Sequence, residues 1–299
     1  MQTTRRKFLG ATGLAAAGFA SIAASGGRAA PAAGSLARFA CNMESWWTDL
    51  EFMSRFERAA ETGFAAIEFW QHDLPGRDVA KIAAHCRSLN LDVVQFTGWG
   101  GPSLADPANH DAFVTGMNDA VEVAAVLDAP MFTVVGHQVV EGIDHAASLG
   151  NIEKALARVA PVLEAAGKVA ILEPFNPVDH QGHFLNGSAD ALRICRSIAS
   201  PAIRINWDLY HMQMTEGNLV ASMRAGVDQV GYVQIADVPG RHQPGTGELD
   251  YGFIFNALDS MGYDGPIGLE FWPADGDEAK AVADLVAASN AKHTRAIAR

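Results

Sequence analysis

Cysteine is scarce in this chain: Cys41, Cys86 and Cys195 are the three in 299 residues. Three thiols cannot close a disulfide framework, and an odd number leaves at least one without a partner in the chain. Nothing around them resembles a paired redox motif, and a chain this long needs no such staples. Basic residues are also few. Lysine plus arginine is 22 against 34 aspartate plus glutamate, a formal net charge of -12 with histidine neutral. That balance opposes a nonspecific grip on phosphate backbones, so nucleic acid is not an expected partner. After Arg28 no stretch is long and apolar enough to span a bilayer. Gly98, Gly100 and Gly101 lack phosphate-loop spacing and do not open a helix after a first strand, so no nucleotide cofactor is implied. What the chain does have is 49% hydrophobic residues, enough for one large core.

The first thirty residues stand apart from that core. Thr4-Arg5-Arg6-Lys7-Phe8-Leu9 is a basic segment with paired arginines, followed by the small and apolar run Gly10 to Ala24 and then Ser25-Gly26-Gly27-Arg28. This order matches an export signal of the twin-arginine kind better than a structural helix. Residues 1–34 are therefore expected to be a signal peptide and leader, and the remaining chain a periplasmic protein with no membrane attachment. The leader holds four positive charges and no acidic residue, so without it the net charge is -16. In an oxidising compartment the three thiols are open to oxidation.

From Ser35 onward a short apolar run, a polar turn and a longer amphipathic stretch repeat eight times. The expected strands are 38–42, 66–70, 91–97, 131–136, 169–173, 203–208, 231–236 and 267–271, and the expected helices 50–61, 77–89, 109–128, 145–166, 189–199, 217–225, 251–261 and 276–292. The strands are too short and apolar for half-exposed hairpins, and each is followed by enough residues for a crossover helix. Eight such units over 35–299 predict a single-domain α/β fold, the (β/α)8 TIM barrel. A doubly wound open sheet would need an edge strand, and no strand differs chemically from the rest.

A barrel places chemistry where strands end and loops begin. Strand five ends in Glu173, strand six in Asp208 and strand eight in Glu270, and strand seven carries Gln234. A carboxylate directly after Ala-Ile-Leu or Ile-Gly-Leu is costly to bury unless a cation or hydrogen bonds compensate it. The four residues together read as one oxygen-lined site for a single divalent cation, Mg2+ or Mn2+. Further polar residues follow in the loops: His211, Asn176 and His183, then Asp237, Arg241, His242 and Glu248 in a turn-rich run. A guanidinium among them matches a carboxylate bidentately, and histidine suits hydroxyl oxygens. His145, Asp179 and His180 read as ordinary loop solvation. Trp46, Trp47, Trp70, His72, Phe96, Trp99, His137 and Trp272 form an aromatic rim, available for stacking on sugar faces or for packing loops over the barrel.

Leu172-Glu-Pro-Phe-Asn176, Trp207-Asp-Leu-Tyr-His-Met-Gln213, Glu216-Gly-Asn218, the run Val233 to Glu248 and Gly262-Tyr-Asp-Gly-Pro-Ile-Gly-Leu-Glu270 resemble the hydroxypyruvate isomerase group. That group belongs to the xylose isomerase-like barrels, which also include ketose 3-epimerases and an endonuclease acting on abasic DNA. The resemblance implies an isomerase of a small hydroxy-oxo acid or sugar. It makes Glu173, Asp208, Gln234 and Glu270 the metal ligands, Glu173 and Glu270 also the acid–base pair, and His211 and Arg241 substrate contacts. Asn176, His183 and Trp272 join the substrate-binding set. The chemistry agrees, because moving a carbonyl through an enediolate needs a base, an acid and charge stabilisation on two oxygens. The chain departs from the group after strand eight, where Glu-Tyr-Lys-Pro is usual and Glu270-Phe-Trp-Pro273 stands here, without the lysine charge. A ketose 3-epimerase and a non-catalytic periplasmic sugar-binding barrel remain alternatives. A hydrolytic or lyase barrel is a further one, and its phosphodiesterase form fits poorly with glutamine on strand seven, where a histidine would serve. Similar barrels form homo-oligomers, and no surface stripe in this sequence selects a stoichiometry.

Overall fold

Eight apolar runs pair edge to edge in the order in which they occur, and the last returns to the first. They are β1 (Phe39–Asn42), β2 (Ala66–Gln71), β3 (Asp92–Trp99), β4 (Met131–Val134), β5 (Val169–Leu172), β6 (Ile203–Asp208), β7 (Val230–Gln234) and β8 (Ile267–Leu269), all parallel in one closed barrel. The computed structural model describes residues 36–291. The expected signal peptide therefore lies outside the described residues. Every expected strand is present, with both ends within two residues of those read from the sequence.

The crossovers are α1 (Phe52–Thr62), α2 (Val79–Leu89), α3 (His110–Leu127), α4 (His145–Ala166), α5 (Ser188–Ile198), α6 (Leu209–Thr215), α7 (Leu219–Gly226), α8 (Tyr251–Met261) and α9 (Glu278–Asn290). Aspartates begin many of them: Asp78, Asp144, Asp250 and Asp277 each accept a backbone N–H of the first turn. One short helix, α6, was not expected. Asp208 ends β6 and also caps α6, its Oδ1 accepting from Tyr210 N at 2.8 Å. The chain thus turns into a helix without a loop residue, and Leu209, Tyr210, His211 and Met212 are drawn under cover at the barrel mouth. Among the described residues no helix is long and apolar enough to cross a membrane.

Alternation along each strand sorts the side chains into two cores. Outward-facing residues such as Ile67, Phe69, Val233 and Leu269 pack against the helices in the main hydrophobic core. The inward-facing set begins at the bottom with Ala40, Ala66, Val94, Met131, Val169, Ile171 and Tyr232. Further along the strands the interior turns polar, with Asn42, Glu68, Gln95, Thr133, Asn206 and Gln234 all buried. A two-residue step takes Ile171 to Glu173, Asn206 to Asp208 and Gly268 to Glu270, so the mouth acids share the inward face of the residues beneath them.

Gly268 makes the polar layer fit. A Cβ there would lie 2.6 Å from Tyr232 Oη and 2.8 Å from both Gln234 Cγ and Glu68 Oε1. Gly268→Ala is expected to cost about 1–3 kcal/mol through overpacking. The measurable form is a fall in thermal midpoint of roughly 3 to 10 °C, against an equal or higher midpoint for alanine at Gly150, which lies within α4 and whose Cβ would meet nothing.

Cys41, Cys86 and Cys195 are buried and unpaired. Burial pushes the Cys86 and Cys195 thiols up to about 12 and Cys41 well above its ordinary value. The oxidation considered from the sequence requires an accessible thiolate, which burial denies to all three.

Candidate active site

The mouth acids converge around one guanidinium. Arg241 Nη2 lies 3.3 Å from Asp208 Oδ2 and 3.2 Å from Glu270 Oε2. His211, in the first turn of α6, brings Nε2 to 3.4 Å from Asp208 Oδ2 and 3.6 Å from Glu173 Oε1. Arg241 reaches this point because the loop after β7 is tightly built. Asp237 accepts backbone N–H groups from Val238, Gly245, Gly247 and Leu249. It is therefore the organiser of the loop and not part of the pocket expected from the sequence. The guanidinium carbon sits 4.8 Å from the Tyr210 ring centroid and 5.7 Å from that of Trp272.

Three buried carboxylates share this space with one guanidinium. Burial pushes Glu173 well above the ordinary carboxylate range, and the neighbouring charges of Glu270 and Asp208 add to the effect. Burial likewise raises Glu270 to about 8 although Arg241 pulls it down. Asp208 is raised by burial against the pull of Arg241 and of the backbone N–H groups of Tyr210 and His211. Burial and then Arg241 hold His211 well below its ordinary value, so it is a neutral imidazole. Arg241 itself is raised: burial opposes its charge, but Glu270, Asp208 and Glu173 outweigh it. Glu270 Oε2 and Arg241 Nε are buried without a hydrogen bond. Three buried carboxylates against one guanidinium, with Glu270 Oε2 held only by its ion pair to Arg241, fit a divalent cation. Among the described residues Glu173, Asp208 and His211 bring ligand atoms within 4.8 Å of one another.

The other expected site residues take varied positions. Gln234 is buried at the end of β7, its Oε1 accepting from Asn206 Nδ2 and its Nε2 donating to Glu68. A carbonyl oxygen has two lone pairs, and Asn206 uses one. Asn176 Oδ1 accepts from the N–H groups of Val178 and Asp179, which fixes its Nδ2 toward His211 Nδ1 at 2.7 Å. His211 thereby keeps its proton on Nε2, facing the acids. His183 lies outside the acid cluster, its Nδ1 3.2 Å from His137 Nδ1, while His137 Nε2 contacts the backbone oxygen of Glu173 at 2.9 Å. Trp272 covers Arg241 and meets Trp70 edge to face at 6.3 Å. His242 holds Trp272 O, and Glu248 accepts from Gln213 away from the acids. His145 pairs with Asp190 at the surface, as loop solvation predicts. His180 does not: it stacks on Phe175 at 4.0 Å and lies 5.1 Å from the His211 ring.

Two contributors escaped the sequence reading. Trp70 was placed in the aromatic rim, but its Nε1 donates to Glu270 Oε1 at 2.9 Å. Glu68 was not singled out at all. Alternation was the available signal, since 66, 68 and 70 must face the same side of β2.

Residues 56–291 match the family model described as xylose isomerase-like TIM barrel. A 2-oxo-tetronate isomerase from Cupriavidus necator is 31% identical over 252 residues, covering 81% of this chain and 95% of that protein. A hydroxypyruvate isomerase from Escherichia coli is 28% identical over 247 residues, covering 81% of this chain and 96% of that protein. Among solved structures, an AP endonuclease, family 2, from Brucella melitensis superposes with a TM-score of 0.75 at 29% identity, covering 79% of this chain and 93% of that one. With the closed barrel and this clustering of mouth residues, the chain belongs to the xylose isomerase-like TIM barrel family and is an enzyme of the isomerase kind.

Proposed function

We propose that the protein is a divalent-cation-dependent isomerase that moves a carbonyl along a small hydroxy-oxo acid or sugar through an enediolate. The observation behind this reading is the buried trio Glu173, Asp208 and Glu270 facing a single guanidinium, with Glu270 Oε2 held only by its ion pair to Arg241. Glu173, Asp208, Glu270 and the oxygen of Gln234 would hold the cation, and this oxygen-rich set suits Mg2+ or Mn2+. A cation held there stabilises the negative charge that develops on the substrate oxygens.

The chain's own residues do the proton work. Trp70 fixes Glu270 by bonding Oε1, which leaves Oε2 as the atom that takes or returns a proton. Glu173 is the second carboxylate of the pair, removing a proton from one carbon while Glu270 serves its neighbour, or the reverse. Asp208 accepts from α6 and Arg241 and orients both. The Nε2–H of His211 steadies the moving oxygen charge, and Arg241 grips the distal end of the substrate. Trp70 and Trp272 wall the site against water. Export through the twin-arginine route to the periplasm belongs to the same proposal, supported by Arg5, Arg6 and the apolar run after them.

The test is solvent-deuterium exchange followed by NMR, on protein purified without chelator and assayed for metal. Hydroxypyruvate, tartronate semialdehyde and a panel of ketoses are the substrates. Metal-dependent incorporation at the carbon next to the carbonyl is expected. Product analysis then separates carbonyl migration from inversion by a ketose 3-epimerase. No bound metal and no exchange across the panel would replace this reading with that of a sugar-binding barrel.

A further inference from the structure

One layer beneath the site lies a carboxylate that the proton chemistry leaves unused. Glu68, on β2, is fully buried. Its oxygens accept from Asn42 Nδ2 at 3.0 Å, from Gln95 Nε2 at 2.8 Å, and from Gln234 Nε2 at 3.1 and 3.2 Å. These three amides come from β1, β3 and β7, on both sides of the barrel. The Glu68 oxygens accept at each of these contacts, whereas an amide donates at one end and accepts at the other. Each amide must therefore turn its nitrogen toward Glu68 and its oxygen away.

The three oxygens so directed are all engaged. Gln95 Oε1 accepts from Thr133 Oγ1 at 2.9 Å. Asn42 Oδ1 accepts from Glu44 N at 2.8 Å, and Glu44 in turn grips Arg77 and accepts from the backbone N–H of Trp70. Gln234 Oε1 accepts from Asn206 and retains its second lone pair. We infer that Glu68 is a positioning residue, which sets the Gln234 amide with its oxygen available as a metal ligand and, through Asn42 and Glu44, braces the strand end carrying Trp70. The inference rests on the proposed role of Gln234 as a ligand. Gly268 is the space that lets Glu68 and Gln234 meet, since a Cβ there would crowd both.

The test is Mn2+ affinity of the full chain, measured by calorimetry and by the loss of the free-ion EPR signal, in a mutant cycle. Glu68→Gln keeps the volume but sets a second –NH2 against that of Gln234, so the amide loses its fixed orientation. A 10- to 100-fold weaker Mn2+ affinity is expected, the scale seen when an outer-shell partner of a metal ligand is lost. Gln234→Leu alone should weaken Mn2+ comparably, and the double variant should be no weaker than Gln234→Leu, because Glu68 acts through that residue. Unchanged affinity in Glu68→Gln beside a weakened Gln234→Leu overturns the positioning role and leaves the ligand assignment standing. An equal further loss in the double variant also overturns it, because Glu68 would then act by another path. Unchanged affinity in Gln234→Leu overturns the ligand assignment and the inference with it. If Glu68→Gln fails to fold, the exchange Glu68→Gln with Gln234→Glu carries the test. It reverses donor and acceptor across the same contact, and Mn2+ binding at least as tight as in the parent is expected. Loss of binding in that folded pair overturns the inference.

Discussion

Glu270→Gln lowers metal-dependent deuterium exchange by about 10³- to 10⁴-fold, and Glu173→Gln does the same, in proteins that remain folded. The magnitude follows from general acid–base catalysis by a positioned carboxylate, worth roughly 10² to 10⁴ for each group. An amide occupies the same space and can still accept from Trp70, but it cannot take a proton. Stability is the control that separates this from unfolding. Burial holds each wild-type carboxylate above the ordinary range, so the metal-free fold already carries it largely protonated near neutral pH, and an amide of the same size adds no charge to bury. The metal-free variants should melt no lower than the parent. Rates are compared at saturating Mn2+ so that affinity does not mask chemistry. Retention of exchange within tenfold of the parent in either variant would remove that glutamate from the acid–base pair.

These two glutamates were legible in the sequence because each ends an apolar run. Asp208 was legible for the same reason, and His211 and Arg241 because they follow such ends within a few residues. The barrel was legible too, since eight short runs separated by helix-length stretches admit few other arrangements. What could not be read depends on partners distant in sequence. Glu68 sits mid-strand in Ala-Ile-Glu-Phe-Trp, where a carboxylate is tolerated only because β1, β3 and β7 each supply an amide donor. Asn176 looked like a substrate contact, yet its amide is spent on two backbone N–H groups and His211. Helix α6 was hidden because Asp208 serves as strand end and helix cap at once, leaving no turn residue to mark the boundary.

The charge cluster also predicts how the metal-free protein responds to pH. A carboxylate whose folded pKa is raised binds more protons in the folded than in the unfolded state, so stability falls as pH rises between the two values. For Glu270 that interval runs from the ordinary carboxylate range to about 8, and Glu173, pushed well above that range by burial and by Glu270 and Asp208, acts in the same direction. Histidines act in the opposite sense below this. His137 is pushed down to about 3 and His211 well below its ordinary value, both mainly by burial. Each therefore costs stability as pH falls below about 6.5, the value for a free imidazole. Below pH 6.5 the two effects oppose one another, whereas between 6.5 and 8 only the carboxylates titrate. Across that interval Glu270 alone is worth about 2 kcal/mol, a fall on the order of 5 °C in thermal midpoint, and Glu173 adds in the same direction. Saturating Mn2+ requires the ionised ligands, so it should flatten this fall and stabilise more at pH 8 than at pH 6.5. Thermal melts across pH with chelator and with Mn2+ check it directly. A chelated protein whose midpoint rises from pH 6.5 to 8 would mean that the mouth acids are ionised without a cation, and the charge argument for the metal site would fail at its first step.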